Sequence, residues 1–166
     1  IEQKYLLQAL QPNRYRIPAL QFNGTDGAGN RLNSQSTPLE FDILPLPNNL
    51  TKPTQLVATE VRLEQQWQPS LDNLRAGDAL TRTVTMIAHG LPATWLPDLS
   101  LPVVEGISVY PQPAQLQQSL INGVLVSRKM IEFKLLLTQA GSHHLPEVSI
   151  AWWDSLRNRQ EIARLA

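Results

Sequence analysis

The sequence predicts an all-β chain: an immunoglobulin-like β-sandwich over residues 57–166, preceded by part of another β domain at 1–47. Three observations carry this. Thirteen prolines interrupt the chain, and its apolar residues alternate rather than recurring at three and four. Turn signals follow one another at short intervals, among them Gly77-Asp78, Gly90-Leu91-Pro92, Glu105-Gly106, Asn122-Gly123 and Ala140-Gly141. Finally, residues 3–22 are echoed without a gap by 131–150. Tyr5 meets Phe133, Leu7 meets Leu135, Ile17 meets Leu145, Pro18 meets Pro146, Leu20 meets Val148 and Phe22 meets Ile150. An echo of this kind predicts two copies of one structural unit, each nearing the close of a β domain.

The first 47 residues supply three expected strands, 3–10, 14–23 and 36–44, with GTDGAGN at 24–30 as a long hairpin loop. Three strands with one apolar face do not readily close a sandwich. The expectation is therefore a partial domain that packs on a partner chain or on residues 57–166, homo-oligomerisation through 1–47 included. The chain begins at Ile1 rather than Met, so a piece of a longer protein is expected, with any export signal or anchor outside it. The Pro- and Asn-rich stretch 45–56, PLPNNLTKPTQL, lacks periodicity, and the linker is placed at 48–56.

From residue 57 onward the alternation is clearer. Val61, Leu63 and Trp67 share one face of a strand, with Arg62, Glu64 and Gln66 on the other. Leu80, Val84 and Met86 alternate with Thr81, Thr83 and Thr85, and Thr suits a solvated strand face. Asn122-Gly123 fits a type I′ turn, whose central residues both need positive φ; it predicts a hairpin joining 114–121 to 124–137. The remaining length has room for seven or more strands, as an immunoglobulin-like sandwich requires.

Composition narrows function. Fourteen basic and fourteen acidic residues balance without a basic cluster, which argues against nucleic acid and against an anionic membrane surface. The absence of cysteine excludes thiolate metal sites, cysteine nucleophiles and disulfides. No apolar run approaches the roughly 20 residues that span a bilayer. Neither a nucleophile elbow nor a nucleotide-binding loop occurs. No enzyme, no cofactor and no metal is expected. His143-His144 falls in an expected strand, where neighbouring side chains point to opposite faces and cannot share one ion. The oxygen-rich segment Asn23–Asn30 lacks the alternating acids and terminal Glu of a calcium loop, with Ser at position 34.

Trp152-Trp153-Asp154 is the remaining motif. The period of two that carries Leu20 and Phe22, or Val148 and Ile150, places Trp152 on the buried face and Trp153 on the other. Two readings stand. Both indoles belong to the interior with a bulge between them, or Trp153 is an exposed anchor for a partner, as Trp is enriched at binding hot spots. Trp95 and Trp153 are also the candidate stacking platforms if the domain binds a glycan.

Gly141-Ser-His-His-Leu-Pro146-Glu-Val-Ser-Ile-Ala-Trp-Trp-Asp154, followed by Glu161-Ile-Ala-Arg-Leu165, resembles the end of a domain in the BatD family of bacterial oxygen-tolerance (aerotolerance) proteins. Leu74-Arg-Ala-Gly77 before Leu80-Thr-Arg-Thr83 adds to it, as do Leu91-Pro92, Leu101-Pro102 and Gly106-Ile-Ser-Val-Tyr-Pro111. Tyr15-Arg-Ile-Pro-Ala-Leu20 resembles the close of the preceding domain. The resemblance implies tandem immunoglobulin-like domains on the periplasmic side of the cytoplasmic membrane, anchored by a C-terminal helix outside this fragment. It also implies partners of von Willebrand factor A and tetratricopeptide type, in an envelope complex linked to stress tolerance. It brings no catalytic residues.

Overall fold

The computed structural model describes residues 7, 11–45 and 56–165. The expected strand 3–10 and most of the linker 48–56 lie outside the described residues. The chain is all-β and divides into two compact units, Ile1–Asn49 and Leu50–Ala166. No helix among the described residues is long and apolar enough to cross a membrane.

The first unit is a hairpin nested in a second strand pair. β1 (Asn13–Ile17) pairs antiparallel with β4 (Leu39–Ile43), and β2 (Gln21–Thr25) with β3 (Arg31–Gln35). The expected strand 14–23 is therefore two strands, broken at Pro18, which has no N–H to give a ladder. Ser36 bridges the break: Leu20 N–H donates to its Oγ at 2.9 Å, while its own N–H donates to the Leu20 carbonyl at 2.9 Å. β3 was not expected, because Arg-Leu-Asn-Ser-Gln offers one apolar residue and no alternation. The predicted loop is present, and Asp26 organises it. Its carboxylate accepts N–H from Ala28 and Asn30 and the Asn30 side-chain amide at 2.8–2.9 Å, which pulls its pKa below the usual carboxylate range.

In the β1–β4 pair, Tyr15 stacks on Phe41 with ring centroids 5.8 Å apart, and Ile17 lies opposite Leu39. The other face carries Arg14, Arg16, Glu40 and Asp42 in exposed ion pairs. In β2, Gly24 leaves space for the Phe22 ring, which a Cβ there would strike. None of the residues described between 11 and 45 is fully buried.

The second unit is a sandwich. One sheet contains β6 (Glu60–Gln68), β7 (Ala79–His89), β10 (Val124–Leu137), β8 (Ile107–Pro111) and β9 (Gln115–Ile121). The other contains β12 (Arg159–Leu165), β11 (Val148–Asp154) and the short β5 (Val57–Ala58), which runs parallel to β11. The core lies between them. Leu80, Val84, Met86 and Ala88 of β7 and Ile131, Phe133 and Leu135 of β10 meet Val148 and Trp152 of β11 and Ala163 of β12. Each fully buried side chain of this size contributes roughly 1.5–3 kcal/mol relative to exposure.

Arg82 interrupts this apolar file. It sits in β7 between Leu80 and Val84, opposite Trp67 and Phe133, and is 1% exposed. Its Nε donates to Gln65 Oε1 at 2.9 Å and its guanidinium lies 5.2 Å from the Trp67 ring centre. Nη1 is buried without a hydrogen-bond partner, and desolvation lowers the pKa of the group.

The hairpin predicted at Asn122-Gly123 is present. Ile121 faces Val124, and φ is 49° at Asn122 and 80° at Gly123, as a type I′ turn requires. β8 and β9 share one edge of β10. Phe133 lies opposite Pro111 and Met130 opposite Gln115, so three steps along β10 match four along the other strand. The extra residue is a β-bulge at 112–114, with Gln112 N–H donating to the Glu132 carbonyl at 2.8 Å.

The echoed segments do not share local structure throughout. Residues 13–17 form a strand, whereas their counterparts 141–145 do not. Leu20 is 59% exposed and its counterpart Val148 is 6% exposed.

Candidate interaction edge

β9 reads Gln-Leu-Gln-Gln-Ser-Leu-Ile. It contains no charge and no proline, and all seven residues are exposed. Its one partner in the sheet is β10, so among the described residues its outer edge presents unpaired backbone N–H and C=O groups. Other edges carry the usual protection. β8 ends in Pro111, and β6 displays Glu60, Arg62 and Glu64. β9 has neither device.

Leu116, Gln118 and Leu120 alternate onto one face of β9. That face looks toward the loop containing the 3₁₀ turn Ala93–Trp95, because Gln118 Oε1 accepts the Ala93 N–H at 3.2 Å. Two more side chains pin the loop from β10. Ser127 Oγ donates to the Leu91 carbonyl at 2.6 Å, and Lys129 Nζ donates to the Leu96 carbonyl at 3.0 Å and to the Asp98 carboxylate. The Lys129 hydrogen bond and charge lower the Asp98 pKa. Leu91, Ala93, Leu96 and Leu99 bury themselves beneath the loop. Trp95 is left 44% exposed on a loop bonded by three side chains, Gln118, Ser127 and Lys129.

Trp153, the other candidate, is interior: it is 9% exposed. This corrects the exposed-anchor reading. Its strand is central in its sheet, with β12 on one side and β5 on the other, and the Trp153 N–H donates to the Leu56 carbonyl at 2.8 Å. The register runs on from Trp152↔Glu161 to Trp153↔Gln160, without the bulge that the interior reading invoked. Asp154, next in the motif, is fully buried. Its Oδ1 accepts the N–H groups of Leu156 and Arg157, and Arg157 Nη1 donates to Oδ2 at 2.7 Å. It shapes the turn between β11 and β12.

His143 and His144 are not in a strand, which is a second correction. They lie in the irregular stretch before β11. Pro146 and Gly141 flank them, and neither favours a continued ladder. The His143 ring packs against Gly106, where φ is +80° and a Cβ would collide with it, and Nε2 hydrogen-bonds the Gln139 carbonyl at 3.0 Å. Among the described residues no three His, Asp or Glu side chains gather around a point that could hold a metal. A surface hollow of about 380 Å³ lies at the bulge, lined in part by Met130, Glu132 and Lys134, beside the start of β9.

Reasoning from sequence reached Trp95 as a site, and reached β9 as a strand but not as an interaction edge. The missed signal was an uncharged, proline-free strand directly before a type I′ turn. Compared with known proteins, the chain matches no family model, no curated protein and no solved structure.

Proposed function

We propose that this chain is a non-enzymatic protein-interaction module: an immunoglobulin-like β-sandwich of a BatD-type scaffold in a bacterial envelope complex. The observation that supports it best is the free, uncharged edge of β9 beside the rigidly held Trp95. Strand addition supplies affinity through backbone hydrogen bonds and takes specificity from neighbouring side chains. The family resemblance supports the setting, on the periplasmic side of the membrane, and the partner classes, von Willebrand factor A-type and tetratricopeptide proteins. The test is affinity purification of the full-length, membrane-anchored protein from its own host. Recovery of those two partner types supports the reading, and recovery of polysaccharide alone overturns it.

The exposure of Trp95 favours a second reading, a glycan-binding sandwich in which that indole stacks on a sugar ring. Trp153 no longer serves as a platform for it. Loss of glycan-array binding in Trp95→Ala, with protein partners still captured, would favour this alternative.

A further inference from the structure

We propose that β9 pairs antiparallel with β9 of a second copy of this chain, about a twofold axis at Gln118. The inference rests on reading β9 as the working edge of the module, and it names the occupant. The middle of the strand, residues 116–120, is a palindrome in chemistry. Centred on Gln118, an antiparallel pair sets Leu116 opposite Leu120 of the second copy, Gln117 opposite its Ser119, and Gln118 opposite its Gln118. Across these five residues apolar meets apolar and polar meets polar; at the strand ends Gln115 falls opposite Ile121. Sliding the register by two residues sets Gln118 against a leucine instead.

Electrostatics agree. A strand without charge faces its own copy without repulsion, whereas like charges directly opposite one another destabilise a pair. Side-chain direction agrees as well. Directly opposed residues in an antiparallel pair lie on the same sheet face. The four leucines would therefore cluster on the face that carries Trp95 from each copy. This covers Leu116 and Leu120, which the single chain leaves open to water. The result is a continuous ten-stranded sheet, two copies of the five-stranded sheet joined edge to edge. One strand pair buries less than the roughly 1,200–2,000 Å² of a stable interface, so the association is weak and concentration-dependent.

The experiment is sedimentation equilibrium of the full 166-residue chain across a concentration series reaching high micromolar. Three sequences are compared: wild type, Q117K/S119K and Q117K/S119E. Both positions are exposed and point away from the Trp95 loop, and circular dichroism melts verify that the variants fold. Wild type is expected to show a monomer–dimer equilibrium. Q117K/S119K sets Lys against Lys twice and is expected to stay monomeric. Q117K/S119E sets Lys against Glu twice and is expected to dimerise about tenfold more tightly than Q117K/S119K. A wild-type chain that is monomeric throughout overturns the proposal, and so does a dimer indifferent to both variants. The two readings separate cleanly. A monomeric wild type whose partner capture is lost in Q117K/S119K removes the second copy and keeps the interaction edge. A dimer that follows the charge pattern, with partner capture unchanged, keeps the second copy and removes the partner role of the edge.

Discussion

The two units use the same strand chemistry to different ends. In residues 11–45, β1 and β4 present Tyr15, Ile17, Leu39 and Phe41 on one face and a run of charges on the other, yet no described residue there is fully buried. In residues 56–165, the same alternation places a second sheet over the apolar face, and Val84, Met86 and Phe133 are buried to 1% exposure or less. Alternation makes a strand two-faced, but a core needs a second layer. Hairpins of the first kind owe their order to turn chemistry and cross-strand pairs, worth tenths of a kcal/mol each. The second kind gains kcal/mol from every buried side chain.

The largest expected effect tests that contrast directly. Phe133→Ala removes a ring enclosed in the core and should cost about 3–5 kcal/mol. Phe41→Ala removes a half-covered ring stacked on Tyr15 and should cost about 1 kcal/mol or less, confined to its own unit. All four tryptophans lie in the second unit, so indole fluorescence during urea unfolding reports that unit. The midpoint should fall sharply for Phe133→Ala and stay unchanged for Phe41→Ala. If Phe41→Ala moves it equally, the units unfold together and the contrast fails.

The same contrast shows what was legible in the sequence. Strand β6 could be read because Val61, Leu63 and Trp67 alternate cleanly, and the β9–β10 hairpin because few residue pairs besides Asn-Gly suit a type I′ turn. Trp153 shows the limit. A period of two assigns a side chain to a face but says nothing of what covers that face. Nor does it give the neighbour: Trp153 lies beside β5, a two-residue strand placed parallel to β11 by pairing almost a hundred residues apart in the chain. The support of Trp95 is long-range in the same way: Gln118, Ser127 and Lys129 reach a loop 25–36 residues before them. Pro18 is a local signal: it has no N–H for a ladder, so one strand ends at Ile17 and the next starts at Gln21.

Arg82 sharpens the comparison from inside the larger core. Burying a cation with one unpartnered nitrogen costs free energy that the Gln65 bond and the Trp67 ring only partly offset. Arg82→Met keeps the volume and removes the charge, and should leave stability unchanged or raise it by about 1 kcal/mol. Arg82→Ala opens a cavity beside Trp67 and Phe133 and should cost about 2–3 kcal/mol. Urea midpoints of the two variants decide it. A loss for Met as large as that for Ala would show that the charge itself holds the sheet together.

The smallest effect at neutral pH concerns Asp154, and it again separates the units. The Arg157 N–H bond is the main cause of its lowered pKa; the Arg157 guanidinium and the Leu156 N–H add to it against desolvation. A carboxyl with a folded pKa below its unfolded value, about 3.9, stabilises the fold above that value. The contribution disappears as pH falls through the folded pKa. Asp26 has the same sign of shift in the first unit, but in an exposed loop. Acid titration followed by indole fluorescence should therefore show a loss of stability below about pH 4 that Asp154→Asn flattens and Asp26→Asn leaves in place. Asn retains an oxygen to accept the Leu156 and Arg157 N–H groups, so the backbone bonds of the turn are kept while the charge and its bond from the Arg157 guanidinium are removed together. An acid limb equally steep in Asp154→Asn would assign it to other carboxylates and leave the buried turn without a role in it.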